Sequence, residues 1–556
     1  MTQTPLHQLT TLTLLCQLVP AVAMVQPQTT LDLLFNAEQR RHTTTRPPAP
    51  PLQARDLAPG GSPETIDTAA MDSPQSTFAE QQANEWQELL LRQLQHLHAA
   101  PANAQPQPWD AEVAPGDLLS MFAYTDANSA RQAYMLAKAA CELCTEEKFA
   151  RALPLLKEAC RLMPSNSALH MELAMAYNAV GKQEHACNVY EKSLALKSDQ
   201  RPALHNLAYT YKRLGRISEA ISCYDSLLRN DPADADAHFG KGLALLSSGN
   251  WEDGWPEHGW IWQRQGPVPL WKQRISEPEW DGSDITDKTV LLTWEGGAGD
   301  TFQFIRLAQL VKARGAQKVI VAVQPFLKNI LSRCPGIDEI IGLSSDNQIP
   351  AFDVHASLLS VPRAVNLKPQ EVPTAPYIHI DQEVVAEWQN KLASDTNLKV
   401  GLCWQSGTAY HTPHLRAAAK MRSMSLADLA PLANMPGVSF YSLQQGATPE
   451  ELTAFPGINV PEEKRRGFVD TAGIMSALDI IISVDTGVVH LAGALGKDVL
   501  LPLPEPADWR WMIDRTDTPW YPTMRLLRQS AGEEGWKSVV ERLREALVER
   551  ATTARP

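Results

Sequence analysis

The pattern of apolar and polar positions changes along the chain. Between residues 133 and 262, apolar residues recur at the spacing of amphipathic helices. From residue 289 onward, short β-branched apolar runs alternate with amphipathic helical segments. Such alternation indicates parallel sheets with right-handed crossovers. The sequence therefore predicts an α-helical region followed by an α/β region.

The helical region repeats itself at a spacing of 34 residues. The alanines that hold equivalent places are Ala152, Ala186 and Ala220. The glycines at the turn between paired helices are Gly181, Gly215 and Gly249. The alanine lets two helices approach closely and the glycine turns the chain. This pattern resembles the tetratricopeptide repeat.

The resemblance places the repeat region at residues 131–262. Its units are 133–166, 167–200, 201–234 and a partial unit, 235–262. Such arrays usually bind extended peptides or neighbouring protein surfaces in a concave groove. A spacer or cap for the next domain is the alternative.

The partial unit ends in an aromatic-dense run, Trp251–Trp262. Exposed, these rings would form a ligand platform. Buried, they would seal the end of the repeats against the α/β region. We predict the seal, because aromatic side chains carry large apolar surfaces.

The α/β region is expected to comprise two Rossmann-like halves, 280–385 and 398–530, followed by a helix at 533–550. The predicted strands are Thr289–Trp294, Lys318–Val323, Asp338–Leu343, Lys399–Trp404, Val438–Leu443, Ile480–Val484 and Val499–Leu503. The predicted helices between them are Thr301–Arg314, Pro325–Cys334, Ser425–Ala433 and Thr471–Ala477. Two halves joined near 381–398 imply a cleft, where open α/β sheets bind ligands.

One turn in the second half is a candidate anion site. The apolar run Ile480–Val484 ends in Asp485-Thr486-Gly487 and passes at once into a helix. Free backbone N–H groups and the dipole at a helix N-terminus favour an anion, with Asp485 and His490 at the rim. An ordinary βα turn capped by Asp or Thr is the alternative.

The first half has a glycine loop, Glu295-Gly-Gly-Ala-Gly-Asp300. Its spacing matches neither the dinucleotide motif nor the P-loop, and it has no lysine for phosphates. Asp300 either caps the following helix or lies at the cleft mouth, where a carboxylate can deprotonate a hydroxyl group.

Taken together, the motifs resemble the GT-B glycosyltransferases, specifically the ADP-heptose:lipopolysaccharide heptosyltransferases of glycosyltransferase family 9. The resemblance is strongest to bacterial proteins that fuse such a domain to tetratricopeptide repeats. The motifs that carry it are the glycine loop with Gln303, Trp404-Gln-Ser-Gly407, Arg422-Ser423, Ser442-Leu-Gln444 and Ser483-Val-Asp-Thr-Gly487 with His490-Leu-Ala-Gly493. The resemblance implies transfer of a sugar from a nucleotide-diphosphate sugar to a protein or glycan hydroxyl, inverting and without metal.

The resemblance also implies roles for individual residues. Asp300 matches the candidate general base, worth about 10²–10⁴-fold in rate. The residues expected to hold the donor nucleotide sugar are Gly297, Gly299, Trp404, Lys420, Arg422, Gln444, Asp485, Thr486, Gly487 and His490. No cofactor or metal is implied beyond this co-substrate, and the repeat groove is expected to present the acceptor.

Two segments depart from the family pattern. The glycine loop lacks the Glu-Gln-Gly-Leu-Gly-Asp of repeat-fused relatives, and the basic segment is diluted to Arg416, Lys420 and Arg422. These cations serve the diphosphate or belong to a solvated loop. Near the C-terminus, Trp509-Arg-Trp511 suggests aromatic packing, with Arg510 or Arg515 reaching the donor as the alternative.

Composition narrows the functional class. The net charge of −13 argues against a nucleic-acid-binding surface. Cys141 and Cys144 form the one CxxC pair, so buried free thiols in a reducing cytoplasm are expected. No apolar run is long enough for a transmembrane segment. Residues 1–130 are expected to be largely disordered, with a short helix near 79–99.

Two other functions remain open. The chain is alternatively a repeat scaffold whose GT-B domain is inactive or only senses a nucleotide sugar. It is also similar in architecture to repeat-bearing O-linked N-acetylglucosamine transferases. The presence of both Asp300 and the Asp485–His490 motif favours the first hypothesis, an active glycosyltransferase.

Overall fold

The computed structural model describes residues 127–264, 274–344, 348–407, 413–461, 467–530 and 535–553. The predicted N-terminal region, including its helix near 79–99, lies almost wholly outside these ranges. Among the described residues, 127–180 with 188–199 form one compact unit and 181–187 with 200–553 form another. The limits of the finer domains remain a prediction.

The helical region consists of eight consecutive helices. They are α1 Ala127–Thr145, α2 Phe149–Leu162, α3 Ser167–Ala179, α4 Gln183–Leu196, α5 Arg201–Arg213, α6 Ile217–Asn230, α7 Ala235–Ser247 and α8 Trp251–His258. The turn glycines Gly181, Gly215 and Gly249 have φ of +80°, +71° and +84°. Only glycine adopts such angles without strain, so these positions fix where each helix pair turns.

Helices α1–α3 enclose buried polar chemistry. Cys141 and Cys144 are free, buried thiols, as the sequence predicts. Glu172 on α3 is also buried, and Oε2 of its carboxylate has no hydrogen-bond partner among the residues that the structure describes. Burial raises the pKa of Glu172 to about 8, because removing a carboxylate from water disfavours its charged form.

The first half of the α/β region contains a four-stranded parallel sheet in the order β3-β2-β1-β4. Its strands are β1 Thr289–Thr293, β2 Lys318–Val323, β3 Glu339–Gly342 and β4 Val354–Ser357. Its helices are α9 Ala298–Phe304, α10 Ala308–Ala313, α11 Lys328–Leu331 and α12 Val361–Val365. Strands β1 and β2 are buried beyond their first residue, which explains their continuous apolar sequences.

The second half contains a five-stranded parallel sheet in the order β6-β5-β7-β8-β9. Its strands are β5 Leu398–Cys403, β6 Val438–Ser442, β7 Ile480–Ser483, β8 Asp498–Leu503 and β9 Met524–Arg528. Its helices are α14 Pro413–Met421, α15 Pro449–Leu452, α16 Phe468–Ser476, α17 Gly487–Ala494 and α18 Lys537–Thr553, and α13 Gln382–Leu392 precedes β5. The predicted fold class, helices followed by parallel α/β sheets, is confirmed.

One predicted element is wrong. The predicted helix Ser425–Ala433 is instead a series of turns with a short 3₁₀ segment, Ala430–Leu432. Ser425 and Asp428 hydrogen-bond each other there and hold a turn. Helix α13 lies in the segment 381–398, where the two halves were predicted to join, and strands β4 and β9 were not predicted.

The aromatic run after α7 packs inward. Trp251 stacks on Trp520 with ring centroids 4.8 Å apart, and Trp255 meets Trp509 edge-on at 5.6 Å. The indole N–H of Trp255 donates to the carbonyl oxygen of Leu367 at 3.2 Å. The prediction that these residues seal the last helices against the α/β region is therefore confirmed for Trp251 and Trp255.

Arg306 joins the two halves from inside the core. It is fully buried. Its guanidinium donates to the carbonyl oxygens of Pro373 at 3.2 Å and Trp520 at 2.5 Å, and to the hydroxyl of Tyr377. This side chain thus ties the first half to the segment before β9.

No helix in the described ranges combines the length and apolar composition required to cross a membrane.

Candidate functional site

The turn between β7 and α17 has the geometry of an anion site. Strand β7 is buried along its whole length, and Thr486 is extended, with φ of −153°, just before α17. The side chain of Thr486, the residue at the N-cap position, makes no capping hydrogen bond within the described part of the chain. The first N–H groups of a helix have no partner within the helix. The turn thus lies where the sequence predicts it; its anion-binding role remains a prediction.

The glycine loop places Asp300 in the first turn of α9. Oδ2 of Asp300 accepts a hydrogen bond from the N–H of Gly297 at 2.7 Å. Gly296 has φ of +75°, and a Cβ atom there would collide with the Asp300 carboxylate. Asp300 therefore caps the glycine loop through Oδ2. Any further role of this carboxylate depends on the partners of Oδ1.

The glycine loop and α17 approach each other closely. A Cβ atom on Gly299 would lie 2.9 Å from Cδ2 of His490 and 3.5 Å from the Cα of Gly487. Real Cβ atoms do not approach other atoms this closely, so glycine is required at 299. Asp300 is thereby placed next to the turn that the sequence predicts to hold the donor.

Arg510 completes the contact between the two halves. Its guanidinium forms an ion pair with Oδ1 of Asp300, and it donates to Oε1 of Gln303 at 2.9 Å and to Oδ1 of Asp508 at 3.0 Å. Burial lowers the pKa of Arg510, but the carboxylates of Asp508 and Asp300 raise it above its ordinary value. Arg510 is therefore a permanent cation beside the candidate base.

His490 is held in a fixed orientation. Its Nδ1 lies 3.0 Å from the hydroxyl of Tyr521, and its ring stacks on Trp511 with centroids 5.4 Å apart. Its Nε2 lies 3.6 Å from Oδ1 of Asp485. Burial raises the pKa of Asp485, but the nearby His490 and the charge of Arg422 outweigh this effect and hold the pKa below its ordinary value. Asp485 is therefore an anion at neutral pH.

The diluted basic segment contributes one cation to this turn. Arg422 donates from Nε to the hydroxyl of Ser406 at 3.1 Å, and its charge acts on Asp485. Lys420 and Arg416, by contrast, have exposed side chains on α14. Of the three candidate phosphate-binding cations, Arg422 is the one whose charge lowers the pKa of Asp485 at the start of the α17 turn.

Gln444 and Trp404 organise the end of β5. Oε1 of Gln444 accepts the backbone N–H groups of Trp404 at 3.2 Å and Gln405 at 2.9 Å. The Trp404 ring is fully buried, and its indole N–H donates to Glu451 at 2.6 Å. Their side chains thus already have structural partners, while their donor contact remains a prediction.

The sequence-derived site set omitted Arg510 and Tyr521. Both follow β8, and their partners Asp300 and His490 lie far away in the sequence. The signal for Arg510 was its position between two tryptophans, which suggested aromatic packing, with a donor contact as the alternative. The structure shows the packing, since the guanidinium lies 4.6 Å from the centre of the Trp509 ring. Contact of Arg510 with the donor remains a prediction.

Comparison with known proteins bears on the repeats. Residues 205–254 match the tetratricopeptide repeat family. The chain therefore carries tetratricopeptide repeats. The chain is also 25% identical over 417 residues to protein FlbA of Caulobacter vibrioides. This alignment covers 69% of the chain and 68% of FlbA.

Solved structures similar to the chain include two glycosyltransferases. ADP-heptose lipopolysaccharide heptosyltransferase II of E. coli is 14% identical, with a TM-score of 0.35. This match covers 47% of the present chain and 99% of the heptosyltransferase chain. The glycosyl transferase family 9 protein of Veillonella parvula is 12% identical, covers 49% and 98%, and has a TM-score of 0.36.

Proposed function

We propose that the chain is a glycosyltransferase that moves a sugar from a nucleotide-diphosphate donor to a protein or glycan hydroxyl. Transfer inverts the anomeric carbon and uses no metal. The tetratricopeptide repeats bind the acceptor or a protein that brings it. In keeping with the sequence expectation, the protein works in the cytoplasm.

The close approach of Gly299 to His490 and Gly487 carries this proposal. It brings the loop that bears Asp300 against the first residues of α17, where Thr486 makes no side-chain capping hydrogen bond. A carboxylate that faces an anion site is the arrangement that a metal-independent transferase requires. The carboxylate takes a proton from the acceptor while the N-terminus stabilises the departing diphosphate.

The proposed reaction breaks the bond between the anomeric carbon and the diphosphate oxygen. The electrons of that bond leave on the diphosphate, where Arg422, Arg510 and the N–H groups at Gly487 counter the developing charge. The acceptor oxygen attacks the opposite face of the anomeric carbon, and its proton passes to Asp300. All atoms are then accounted for as glycoside, nucleoside diphosphate and a proton.

One observation favours a second function, a repeat scaffold with a nucleotide-sugar-sensing domain. Both carboxylate oxygens of Asp300 already have partners, Gly297 and Arg510. A carboxylate with these partners is as well suited to holding the two halves of the α/β region together as to acting as a base. The two proposals differ in whether bound donor is consumed.

Calorimetric titration of the full chain with ADP-, UDP-, GDP- and dTDP-sugars tests the proposal. We expect one class to bind to wild type, and to bind Asp485→Asn more weakly because the α17 turn loses its ordering. Asp300→Ala is expected to retain donor binding. Absence of binding by wild type to every nucleotide sugar would overturn both the transferase and the sensing proposals.

A further inference from the structure

Arg510 has a choice of anionic partners. Its guanidinium pairs with Asp300 on α9 and with Asp508, its near neighbour in sequence. It also lies close enough to Asp485, which opens the α17 turn, for that carboxylate to raise its pKa. The charge of Arg510 therefore acts both on the candidate base, with which it forms an ion pair, and on the carboxylate at the candidate diphosphate site.

The two main partners of Arg510 are held differently. Oδ1 of Asp508 also accepts the backbone N–H of Arg510 at 3.0 Å and caps the 3₁₀ segment Trp509–Trp511, so this pair belongs to one element. Asp300 lies in the other half of the α/β region and is tied to Gly297. The Asp300 pair is the one that can open without unfolding the segment that bears Arg510.

Asp300 must be accessible to the acceptor hydroxyl to work as a base. Oδ2 of Asp300 accepts from the Gly297 N–H group, and Oδ1 pairs with Arg510. Each carboxylate oxygen can accept two hydrogen bonds, so Arg510 takes one position at Oδ1 and its bulk hinders an incoming hydroxyl at the other. A donor diphosphate offers the guanidinium a bidentate partner of higher charge.

We propose that Arg510 exchanges partners when the donor binds. Its guanidinium then releases Asp300 and pairs with the donor diphosphate instead. This inference rests on the proposed transferase function and adds an order to it. The donor-free protein holds its base in an ion pair, and donor binding frees that base for the acceptor. The acceptor hydroxyl is therefore activated only when a sugar is present to receive it.

Binding of inorganic pyrophosphate, measured calorimetrically at a fixed ionic strength near 0.15 M, tests the exchange. Asp300 competes with the anion for Arg510, so Asp300→Asn should bind pyrophosphate about tenfold more tightly, and Arg510→Gln about tenfold more weakly. A merely structural Arg510 predicts no gain in Asp300→Asn. That variant leaves Arg510 in place, so it tests the proposal even where Arg510→Gln is unstable.

A double variant and a matched control isolate the pair. In Asp300→Asn/Arg510→Gln, the gain from Asp300→Asn should disappear, because Arg510 transmits it. Asp517 forms an ion pair with Arg515 at 2.7 Å a few residues away, and Asp517→Asn should leave pyrophosphate affinity within about twofold.

The exchange is overturned by any of three results: undetectable binding of pyrophosphate to wild type, unchanged affinity in Asp300→Asn, or a gain that persists in the double variant. These outcomes are separate from failure of the transferase proposal. A protein that binds and consumes a nucleotide sugar while showing no opposite effects of the two variants retains the proposed function and loses the exchange.

Discussion

Gly299 of the glycine loop packs directly against the ring of His490 on α17. A Cβ atom on Gly299 would lie 2.9 Å from the His490 ring. That ring has little freedom to withdraw, because Trp511 stacks on it and the Tyr521 hydroxyl lies 3.0 Å from Nδ1. The glycine loop and the α17 turn can therefore lie this close together only because residue 299 has no side chain.

Gly299→Ala is expected to lower the free energy of unfolding by about 1–3 kcal/mol, because a methyl group in this contact forces the turns apart. Gly297→Ala is the matched control. Its Cβ atom would meet Asp300 Oδ2 at 3.8 Å, and its φ of −90° suits alanine, so we expect a change within about 0.5 kcal/mol. Urea titration measures both, and equal effects would contradict the close packing.

Trp251→Ala should destabilise the unit that contains the α/β region by about 3–5 kcal/mol, since a fully buried indole stacked on Trp520 is lost. Phe326→Ala serves as the control, because the side chain of Phe326 is 65% exposed. Thermal unfolding followed by tryptophan fluorescence distinguishes them. A similar loss in both variants would show that Trp251 does not seal this unit.

Arg306→Lys should destabilise the same unit although the charge is kept. The planar guanidinium reaches Pro373, Trp520 and Tyr377 together, and an ammonium group does not reproduce this fork. Each buried acceptor left unpaired costs about 1–3 kcal/mol. Arg333→Lys, at an exposed pair with Asp381, should be near neutral in the same urea titration.

Glu172→Gln should remove a pH dependence of helices α1–α3. The folded-state pKa of about 8 lies above the unfolded value of about 4.3, so the folded state keeps a proton that the unfolded state loses. Stability is therefore full below about pH 4.3 and falls by up to about 1.4 kcal/mol per pH unit until about pH 8.

Amide hydrogen exchange of residues 127–179, converted to opening free energies between pH 5 and pH 8, measures this effect. Wild type should become less stable as the pH rises across this interval, while Glu172→Gln should show a much smaller slope and greater stability at pH 8. Parallel profiles for the two proteins would show that Glu172 keeps its ordinary pKa in the folded state.

The elements predicted from the sequence are those with a recognisable pattern in their own residues. The repeats were recognisable because glycines at positive φ and small residues recur along the chain, and β1, β2, β5 and β7 because buried parallel strands are continuous apolar runs. Strand β4 contains His355 and Ser357, and β9 has arginines at both its second and last positions. Neither has the apolar run on which the prediction depended.

The sequence indicated each turn of the candidate site separately, but not the contacts between the turns. Asp300 and the Asp485–His490 segment each follow a buried strand, so the sequence indicated both. The ion pair of Asp300 with Arg510 joins residues that are remote in sequence, and only the folded chain shows it. Trp404 illustrates the opposite case, since its motif suggested the cleft while its ring is buried in the core.

We propose that Asp300 and the α17 turn work as one transferase site. Release of nucleoside diphosphate from the donor that binds, measured at saturating donor in wild type and Asp300→Asn, tests it most directly, with Asp517→Asn as control. We predict that Asp300→Asn slows release by about 10²–10⁴-fold while the donor still binds. A wild-type rate of release in Asp300→Asn would contradict the account.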